Sequence, residues 1–353
     1  MPNAVLTSAI DALASREDLS EQRTAEVLAE IMHGDVSEVQ IAGFLIALRT
    51  KGETEQELAG LARTMRELAA RVPTTREDLL DTAGTGGGRR TFNVSTTAAL
   101  IAAGAGCAVA KHGNRSATGP SGSADLLEAL GARIDLPPAA VARCIEEAGF
   151  GFMFAPAHHQ ATRFVVPVRA ELAVRTIFNL LGPLTNPAGA TRQLIGVSDA
   201  RFLDTVAGAL ARLGVQRALV VSGDDGLDEV SIAGTTHVVE VLGESVRRYT
   251  IDPEEVGLRR APDGSDPKLA GGTPQENAAI TQAIFAGALD GPAADLALIN
   301  AGAAIYAAGV AATLTDGVEA ARAAIATGAA TRALEGYVQA SQRHADAQRE
   351  TVA

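Results

Sequence analysis

Beyond Pro73, short apolar runs alternate with stretches of helical length, and this pattern restricts the possible folds. The strand candidates are Leu79–Ala83, Ala108–Lys111, Phe150–Phe154, Leu194–Val197 and Ala218–Ser222. The helix candidates are Thr96–Ala103, Ala124–Leu130, Pro138–Ala148, Ala200–Leu213 and Gln275–Phe285. Because parallel strands need long crossovers, the alternation predicts a mostly parallel sheet covered by helices. The runs His237–Leu242 and Val246–Ile251 flank Gly243 and predict a hairpin.

The residues before Pro73 contain no strand candidate and read as helices. Ser20 is a helix-capping residue, Gly34 and Gly52 are stop signals, and Ser37–Gln40 and Thr54–Glu57 have the capping-box pattern. We therefore predict a small all-helical domain over residues 1–75 and a larger α/β domain over 76–353. The Gly- and Pro-containing stretch Asp263–Thr273 reads as a loop, and alanine-rich helices follow from about Ala293 to Ala308 and from Asp316 onward.

Composition excludes several classes of protein. Hydrophobic residues make up 47% of the 353 residues, so a sizeable core is possible, although aromatic residues are only 3%. The net charge of −12 opposes nucleic-acid binding. Cys107 and Cys144 lack metal-binding spacing and fit a reducing compartment. No secretion signal or long apolar span is present, so we expect a cytoplasmic protein without membrane contact.

A glycine-rich turn, Gly84–Thr96, lies between a strand candidate and a helix candidate. Glycines let the backbone approach ligand oxygens closely, and open α/β sheets bind ligands at the carboxyl ends of their strands. The turn is neither a P-loop nor the dinucleotide fingerprint, because Gly-Lys-Ser/Thr is absent and Arg89 replaces the third glycine. The alternative is an ordinary glycine turn.

A second loop, from Lys111 to Arg115, is basic and leads to a helix start at Ser121–Ser123. Cations beside the free N–H groups of a helix start favour a phosphate-bearing ligand. A solvated charged turn is the alternative, and His112 alone is as readily structural as functional. Together the two loops predict a doubly phosphorylated substrate.

The adjacent carboxylates Asp228 and Glu229 predict a magnesium site, because Mg²⁺ shares its oxygen ligands with substrate phosphates. The alternative is a surface acidic turn. Arg169 lies in an apolar stretch and would pair with a substrate carboxylate, or else with Glu171. For His158 and His159 we expect a packing or substrate-channel role.

Eight segments carry a resemblance to a known family: Gly84–Gly87, Asn93–Thr96, Lys111–Ser116, Ser121–Asp125, Phe154–His159, Pro167–Arg169, Arg175–Pro187 and Gly226–Ser231. Together they closely resemble the anthranilate phosphoribosyltransferases of tryptophan biosynthesis. The resemblance implies transfer of the phosphoribosyl group of phosphoribosyl pyrophosphate to the amine of anthranilate, with release of pyrophosphate. It also implies the nucleoside phosphorylase/phosphoribosyltransferase-like fold, a helical segment near 168–190 that returns to the helical domain, and a homodimer formed through that domain.

The resemblance also implies the roles of individual residues. Asn114 and Arg169 face anthranilate, Gly182 belongs to a hinge region, and Ser95, Asp228 and Glu229 hold Mg²⁺ with the pyrophosphate. The phosphoribosyl pyrophosphate site and its surroundings are implied to contain Gly84, Gly87, Gly88, Thr91, Asn93, Val94, Ser95, Thr96, Lys111, His112, Gly113, Arg115, Ser116, Ala117, Thr118, Gly119 and Ser123. No nucleophile–base pair is evident, and none is needed, since a neutral arylamine is already nucleophilic.

Two positions depart from the family pattern. Gly88 stands where the family usually has aspartate, and the turn before Thr91 is one residue short; Gln160 stands where proline is common. Two other functions remain as alternatives. One is a pyrimidine nucleoside phosphorylase-like enzyme, and the other is an inactive transferase-like protein that binds nucleic acid.

Overall fold

The computed structural model describes residues 1–116, 119–262 and 267–352. The chain forms an N-terminal helical bundle and a larger α/β part with a seven-stranded sheet. Within the described residues no helix is both long and apolar enough to cross a bilayer.

Four helices form the N-terminal bundle: α1 Ala4–Ala14, α2 Glu21–His33, α3 Glu38–Lys51 and α4 Glu55–Leu68. The predicted ends of α2 are confirmed. The Ser20 side chain accepts a hydrogen bond from the Arg23 N–H, and Gly34 has a left-handed backbone conformation. The capping box of Thr54 and Glu57 is present in both directions. Only half of the capping box predicted at Ser37 is present: the Ser37 side chain accepts a hydrogen bond from the Gln40 N–H, but the Gln40 side chain does not return one. The Gln40 side chain instead exchanges two hydrogen bonds with the Asn3 backbone, because α1 packs beside α3.

The strands are β1 Leu79–Gly84, β2 Ala108–Gly113, β3 Phe150–Phe154, β4 Arg192–Gly196, β5 Arg217–Gly223, β6 Thr236–Leu242 and β7 Ser245–Ile251. Their order in the sheet is β3-β2-β1-β4-β5-β6-β7. The first five are parallel, and β6 and β7 form the predicted antiparallel hairpin. The predicted mostly parallel sheet is therefore confirmed. The strand order reverses between β1 and β4, so their carboxyl ends flank a crevice suited to a ligand.

The remaining helices are α5 Val94–Gly104, α6 Ser123–Ala129, α7 Pro138–Ala148, α8 Ala155–His158, α9 Val166–Leu172, α10 Phe178–Leu181, α11 Leu203–Arg212, α12 Pro267–Ala270, α13 Pro274–Phe285, α14 Pro292–Ala307, α15 Leu314–Ala326 and α16 Ala329–Val352. Short 3₁₀ turns occupy Gln160–Phe164, Gly182–Leu184, Ala200–Phe202 and Pro253–Val256. The helix predicted over Ala200–Leu213 thus begins as a 3₁₀ turn. The loop predicted over Asp263–Thr273 was wrong at Pro267–Ala270, which form one helical turn; residues 263–266 lie outside the described part.

Two hydrophobic cores lie on opposite faces of the sheet. Leu194 of β4 and Leu219 of β5 belong to the core shared with α5, α14 and α16, whereas Ile195 and Val220 face the core shared with the bundle. This alternation follows from the two-residue period of a strand. Val168 of α9, together with Phe178 and Leu181 of α10, joins the bundle-side core. The segment predicted to return to the helical domain therefore packs against it.

Candidate active site

Loops from three parallel strands meet at the sheet edge where the strand order reverses. The Gly84–Gly88 turn follows β1, Asn114 and Arg115 follow β2, and Asp228 and Glu229 follow β5. The carboxyl ends of parallel strands share one edge, so this placement follows from the topology. The segment that carries α9 and α10 closes the site from the bundle side.

A cavity of about 740 Å³ lies between these loops and the returning segment. Its wall includes five of the predicted substrate residues, Gly84, His112, Gly113, Asn114 and Arg169. The two loops picked out in the sequence thus border one space, although Gly84 and His112 lie 28 positions apart in the chain. Burial and the neighbouring His159 hold the pKa of His112 well below its usual range, so the cavity presents a neutral imidazole.

Arg169 is a half-buried cation on the returning-segment side of the cavity. Its guanidinium carbon lies 5.6 Å from the centre of the Phe178 ring, and burial lowers its pKa. Among the described residues no carboxylate forms an ion pair with it, and Glu171 is exposed. The alternative of an Arg169–Glu171 pair is therefore not what the structure has. A half-buried guanidinium without an acidic partner is suited to an anionic ligand.

Lys111 is buried inside β2, which excludes the alternative of a solvated turn at this position. Its Nζ donates to the Thr82 carbonyl oxygen at 2.5 Å and reaches the Ser95 Oγ at 3.4 Å. Burial lowers the pKa of Lys111, and the carboxylates of Asp81 and Glu229 oppose that shift. The ammonium group thus lies beside Ser95 and Glu229, two of the three predicted metal-binding residues.

Asp228 and Glu229 lie in a bend after β5 and are partly buried, whereas Asp224 is exposed. Burial and the charge of Asp228 raise the pKa of Glu229 to about 8, against the effect of Lys111. Burial also raises the pKa of Asp228, although its Oδ2 accepts a hydrogen bond from the Gly86 N–H at 2.8 Å. The alternative of a surface acidic turn does not describe this pair.

These residues fit a magnesium ion. Two partly buried carboxylates repel each other, and a divalent cation would relieve that repulsion. Ser95 lies close by, because its backbone N–H bonds to Glu229. In the described residues no group of three or more His, Cys, Asp or Glu side chains can hold a metal by itself. Mg²⁺ usually takes one or two carboxylates from a protein and completes its shell with phosphate and water.

The start of α5 offers an anion-binding site. Asn93 does not cap this helix, since its side chain binds Ser121 and Asn277 instead. The Val94 N–H donates to the Phe92 carbonyl oxygen at 2.7 Å and the Ser95 N–H bonds to Glu229, so among the described residues the Thr96 N–H is the one that this first turn leaves to a ligand. The Thr96 Oγ1 is buried and has no hydrogen-bond partner.

The other predicted residues are distributed as follows. Arg115 forms ion pairs with Asp125 and Glu128, Ser116 accepts from the Gly119 N–H, and Ser123 at the start of α6 donates to the Asn114 carbonyl. Thr91 is partly buried between Arg90 and Phe92. Ala117 and Thr118 lie outside the described residues. Whether each binds substrate stays a prediction.

The glycines of the first turn are favoured by positive φ angles at some positions and by close contacts at others. Gly86 and Gly87 have positive φ angles of 65° and 78°, which favour glycine. A Cβ at Gly88 would lie 2.8 Å from both Asp228 Oδ1 and the Gly226 carbonyl oxygen. The shortened turn is thus pressed against Asp228 and leaves no room for the side chain that the family usually has there.

Four residues near the site were given no role from the sequence: Asp81, Asn186, Arg175 and Ser198. Asp81 is a charged residue inside an apolar strand, and that was a usable signal. Asn186 and Arg175 belong to one of the segments that carried the resemblance. Ser198 follows β4 and had no signal of its own.

Comparisons with known proteins agree with this geometry. Residues 7–69 match the model of the glycosyl transferase family, helical bundle domain, and residues 76–331 match the a/b domain of the same family. A protein of Rubrobacter xylanophilus named anthranilate phosphoribosyltransferase is 52% identical over 96% of this chain and 98% of its own length. One of the same name from Moorella thermoacetica is 50% identical over 95% of this chain and 98% of its own.

Solved structures give the same result. The crystal structure of anthranilate phosphoribosyltransferase from Thermus thermophilus is 49% identical, with a TM-score of 0.89 over 95% of this chain and 99% of that one. The enzyme from Saccharomyces cerevisiae, in complex with PRPP and Mg, is 28% identical, with a TM-score of 0.88 over 97% of this chain and 99% of that one.

Proposed function

The chain belongs to the anthranilate phosphoribosyltransferase family, and we propose that the cavity bordered by Gly84, Asn114 and Arg169 is where it performs the family's reaction. It transfers the phosphoribosyl group of phosphoribosyl pyrophosphate to the amine of anthranilate. The products are N-(5-phosphoribosyl)anthranilate, an intermediate of tryptophan biosynthesis, and pyrophosphate.

The observation that carries this assignment is the position of Arg169. Its half-buried guanidinium has no acidic partner among the described residues and faces a cavity whose opposite wall contains both predicted phosphate loops. A carboxylate held at Arg169 and phosphates held at the loops would place the arylamine near the anomeric carbon of the ribose. Such positioning is a large part of catalysis when two substrates must meet.

The leaving pyrophosphate needs positive charge and hydrogen-bond donors more than a strong base. Lys111 supplies a buried ammonium group, and the start of α5 supplies the Thr96 N–H. We propose that Ser95, Asp228 and Glu229 hold Mg²⁺, which neutralises charge on the departing pyrophosphate when bound. Asn114 is proposed to contact anthranilate from the β2 side of the cavity.

The direct test uses the fluorescence of anthranilate. The protein mixed with anthranilate, phosphoribosyl pyrophosphate and Mg²⁺ should consume the fluorescence and release pyrophosphate in equal amounts. A folded sample that leaves the fluorescence unchanged would contradict the proposal. Phosphate-dependent release of thymine from thymidine would favour the nucleoside phosphorylase alternative, and a gel shift with DNA at moderate salt would favour the nucleic-acid-binding one.

We also propose a homodimer formed through the helical bundle. Val39 and Ile46 are exposed and lie seven positions apart on one face of α3, where they leave apolar surface for a partner. The double variant Val39→Glu with Ile46→Glu should elute as a monomer in light-scattering chromatography. Val310→Glu changes an exposed valine outside the bundle and should leave the dimer intact. A monomeric parent protein would refute the dimer.

The division into residues 1–75 and 76–353 and the cytoplasmic location are also proposals. The ranges of the two family models support the division. The free, buried thiols of Cys107 and Cys144 support a reducing compartment.

A further inference from the structure

Arg175 connects the returning segment to the glycine turn after β1. Its Nη1 donates to the Gly86 carbonyl oxygen at 2.7 Å, and its Nη2 lies 3.4 Å from the Thr85 carbonyl oxygen. The Ser198 hydroxyl donates to the same Gly86 oxygen at 3.0 Å. Two donors from two different segments therefore hold one carbonyl group of the turn.

The same glycine is held from its other side by a proposed metal ligand. The Gly86 N–H donates to Asp228 Oδ2 at 2.8 Å, so Arg175 and Asp228 are joined through a single residue. The turn has little freedom to move between them. A Cβ at Gly87 would overlap the Arg175 guanidinium, and one at Gly84 would lie 2.7 Å from Asp228 Oδ2.

Arg175 is itself tied to the helical bundle. The Nη1 of Arg49, near the end of α3, donates to the Arg175 carbonyl oxygen at 2.8 Å. A continuous series of hydrogen bonds therefore runs from α3 through Arg175 and Gly86 to Asp228. Arg49 and Arg175 lie outside both the turn and the carboxylate pair.

We propose that Arg175 is a positioning residue that orients the Gly84–Gly88 turn and, through the Gly86 peptide, the carboxylate of Asp228. It transmits the placement of the helical bundle to the metal subsite without touching the reacting atoms. Arginine suits this role because its planar fork donates to two neighbouring carbonyl groups, which the single ammonium of lysine does with less geometric control. The inference rests on the proposed function only in taking Asp228 as a magnesium ligand.

Hydrogen exchange of the ligand-free protein tests the geometry by itself. In Arg175→Ala, amides of the peptide covering residues 84–88 should exchange faster than in the parent, while peptides from β5 and α5 stay protected. Arg201→Ala is the matched control. Arg175 and Arg201 are both exposed and border a second cavity, but the Arg201 guanidinium pairs with Asp199 rather than with the turn. Unchanged exchange at 84–88 in Arg175→Ala would overturn the proposal.

Ligand binding tests the link to Asp228. Arg175→Ala removes the charged donor that orients the turn, so it should raise the Mg²⁺ concentration for half-saturation and the KM for phosphoribosyl pyrophosphate about tenfold or more. The KM for anthranilate and the melting temperature should stay near the parent's values. Arg175→Lys should restore part of the loss, and Arg201→Ala should behave as the parent.

The outcomes separate this inference from the proposed function. An inactive parent protein would refute the function, while the exchange experiment would still decide the role of Arg175. An active parent with an Arg175→Ala variant of normal Mg²⁺ dependence would refute this inference alone. A loss of all kinetic parameters together with the melting temperature would show a merely structural role and would also refute it.

Discussion

The Nδ2 of Asn186 donates a hydrogen bond of 2.7 Å to the Oδ2 of Asp81, and both side chains are buried. The same Nδ2 donates to the Ala110 carbonyl oxygen at 2.8 Å, and the Asp81 Oδ1 accepts from the His112 N–H at 3.1 Å. Burial raises the pKa of Asp81, and the charge of Lys111 opposes that shift. This network joins the end of the returning segment to the two strands whose loops form the cavity.

Asn186→Ala should lower the free energy of unfolding by about 1–3 kcal/mol, because it removes a hydrogen-bond donor from a buried carboxyl group. Urea denaturation at neutral pH measures the change. Gln22→Ala is the control: Gln22 is exposed and its side chain bonds to Glu26 one turn along α2, so its loss should stay within about 0.5 kcal/mol. Equal effects of the two variants would argue against a structural role for the network.

The double variant Asp228→Ala with Glu229→Ala should abolish the dependence of phosphoribosyl pyrophosphate binding on Mg²⁺. Glu229 interacts with the Ser95 N–H and with the buried Lys111, and Asp228 lies next to it. Calorimetric titration of the substrate with and without Mg²⁺ measures the difference. Asp224→Asn alters an exposed carboxylate of the same loop and should leave the Mg²⁺ effect intact. A Mg²⁺ titration of the double variant that matches the parent's would remove these residues from the metal site.

Arg169→Ala should raise the KM for anthranilate by about 10- to 100-fold, because a charge-assisted hydrogen bond to the substrate carboxylate is lost. The KM for phosphoribosyl pyrophosphate should change little. Steady-state kinetics with each substrate varied in turn separates the two effects. Arg163→Ala removes an exposed arginine at the edge of the same cavity, which stacks on Phe164. If Arg163→Ala matched Arg169→Ala, general positive charge rather than a specific contact would explain the result.

His159 should make the protein less stable as the pH falls. Burial and the neighbouring His158 lower the pKa of His159 to about 4. As the pH falls from 6.5 to 4, this imidazole is therefore protonated in the unfolded chain before it is protonated in the folded protein. The stabilisation is complete above pH 6.5 and is lost progressively as the pH falls toward 4. The loss at pH 5 is about 2 kcal/mol from this residue.

Urea denaturation between pH 7 and 5 measures the slope with which the free energy of unfolding falls as the pH falls. His159→Gln should make that slope less steep. His33→Gln, at an exposed position at the end of α2, should keep the slope of the parent protein. An unaltered slope in His159→Gln would show that other groups cause the acid sensitivity.

The regular elements of the fold could be predicted because hydrophobic periodicity and helix caps are local. The strand over Phe150–Phe154 and the helix over Pro138–Ala148 have the predicted bounds. Prediction was wrong where a distant contact competed with a local one. Gln40 binds the backbone of Asn3 rather than completing its own helix cap, and Pro267–Ala270 form a helical turn inside a Gly- and Pro-containing stretch.

The sequence alone determined the class of fold and the family, and it predicted the two phosphate loops and the carboxylate pair, because each is written in short segments of neighbouring residues. Tertiary structure decided which distant residues contact each other. Arg175 lies 89 positions from the carbonyl it holds, and Asp228 lies 142 positions from the N–H it accepts. Burial, which raises the pKa of Glu229 and lowers that of Arg169, exists only after distant segments pack, since desolvation depends on every neighbour around a side chain.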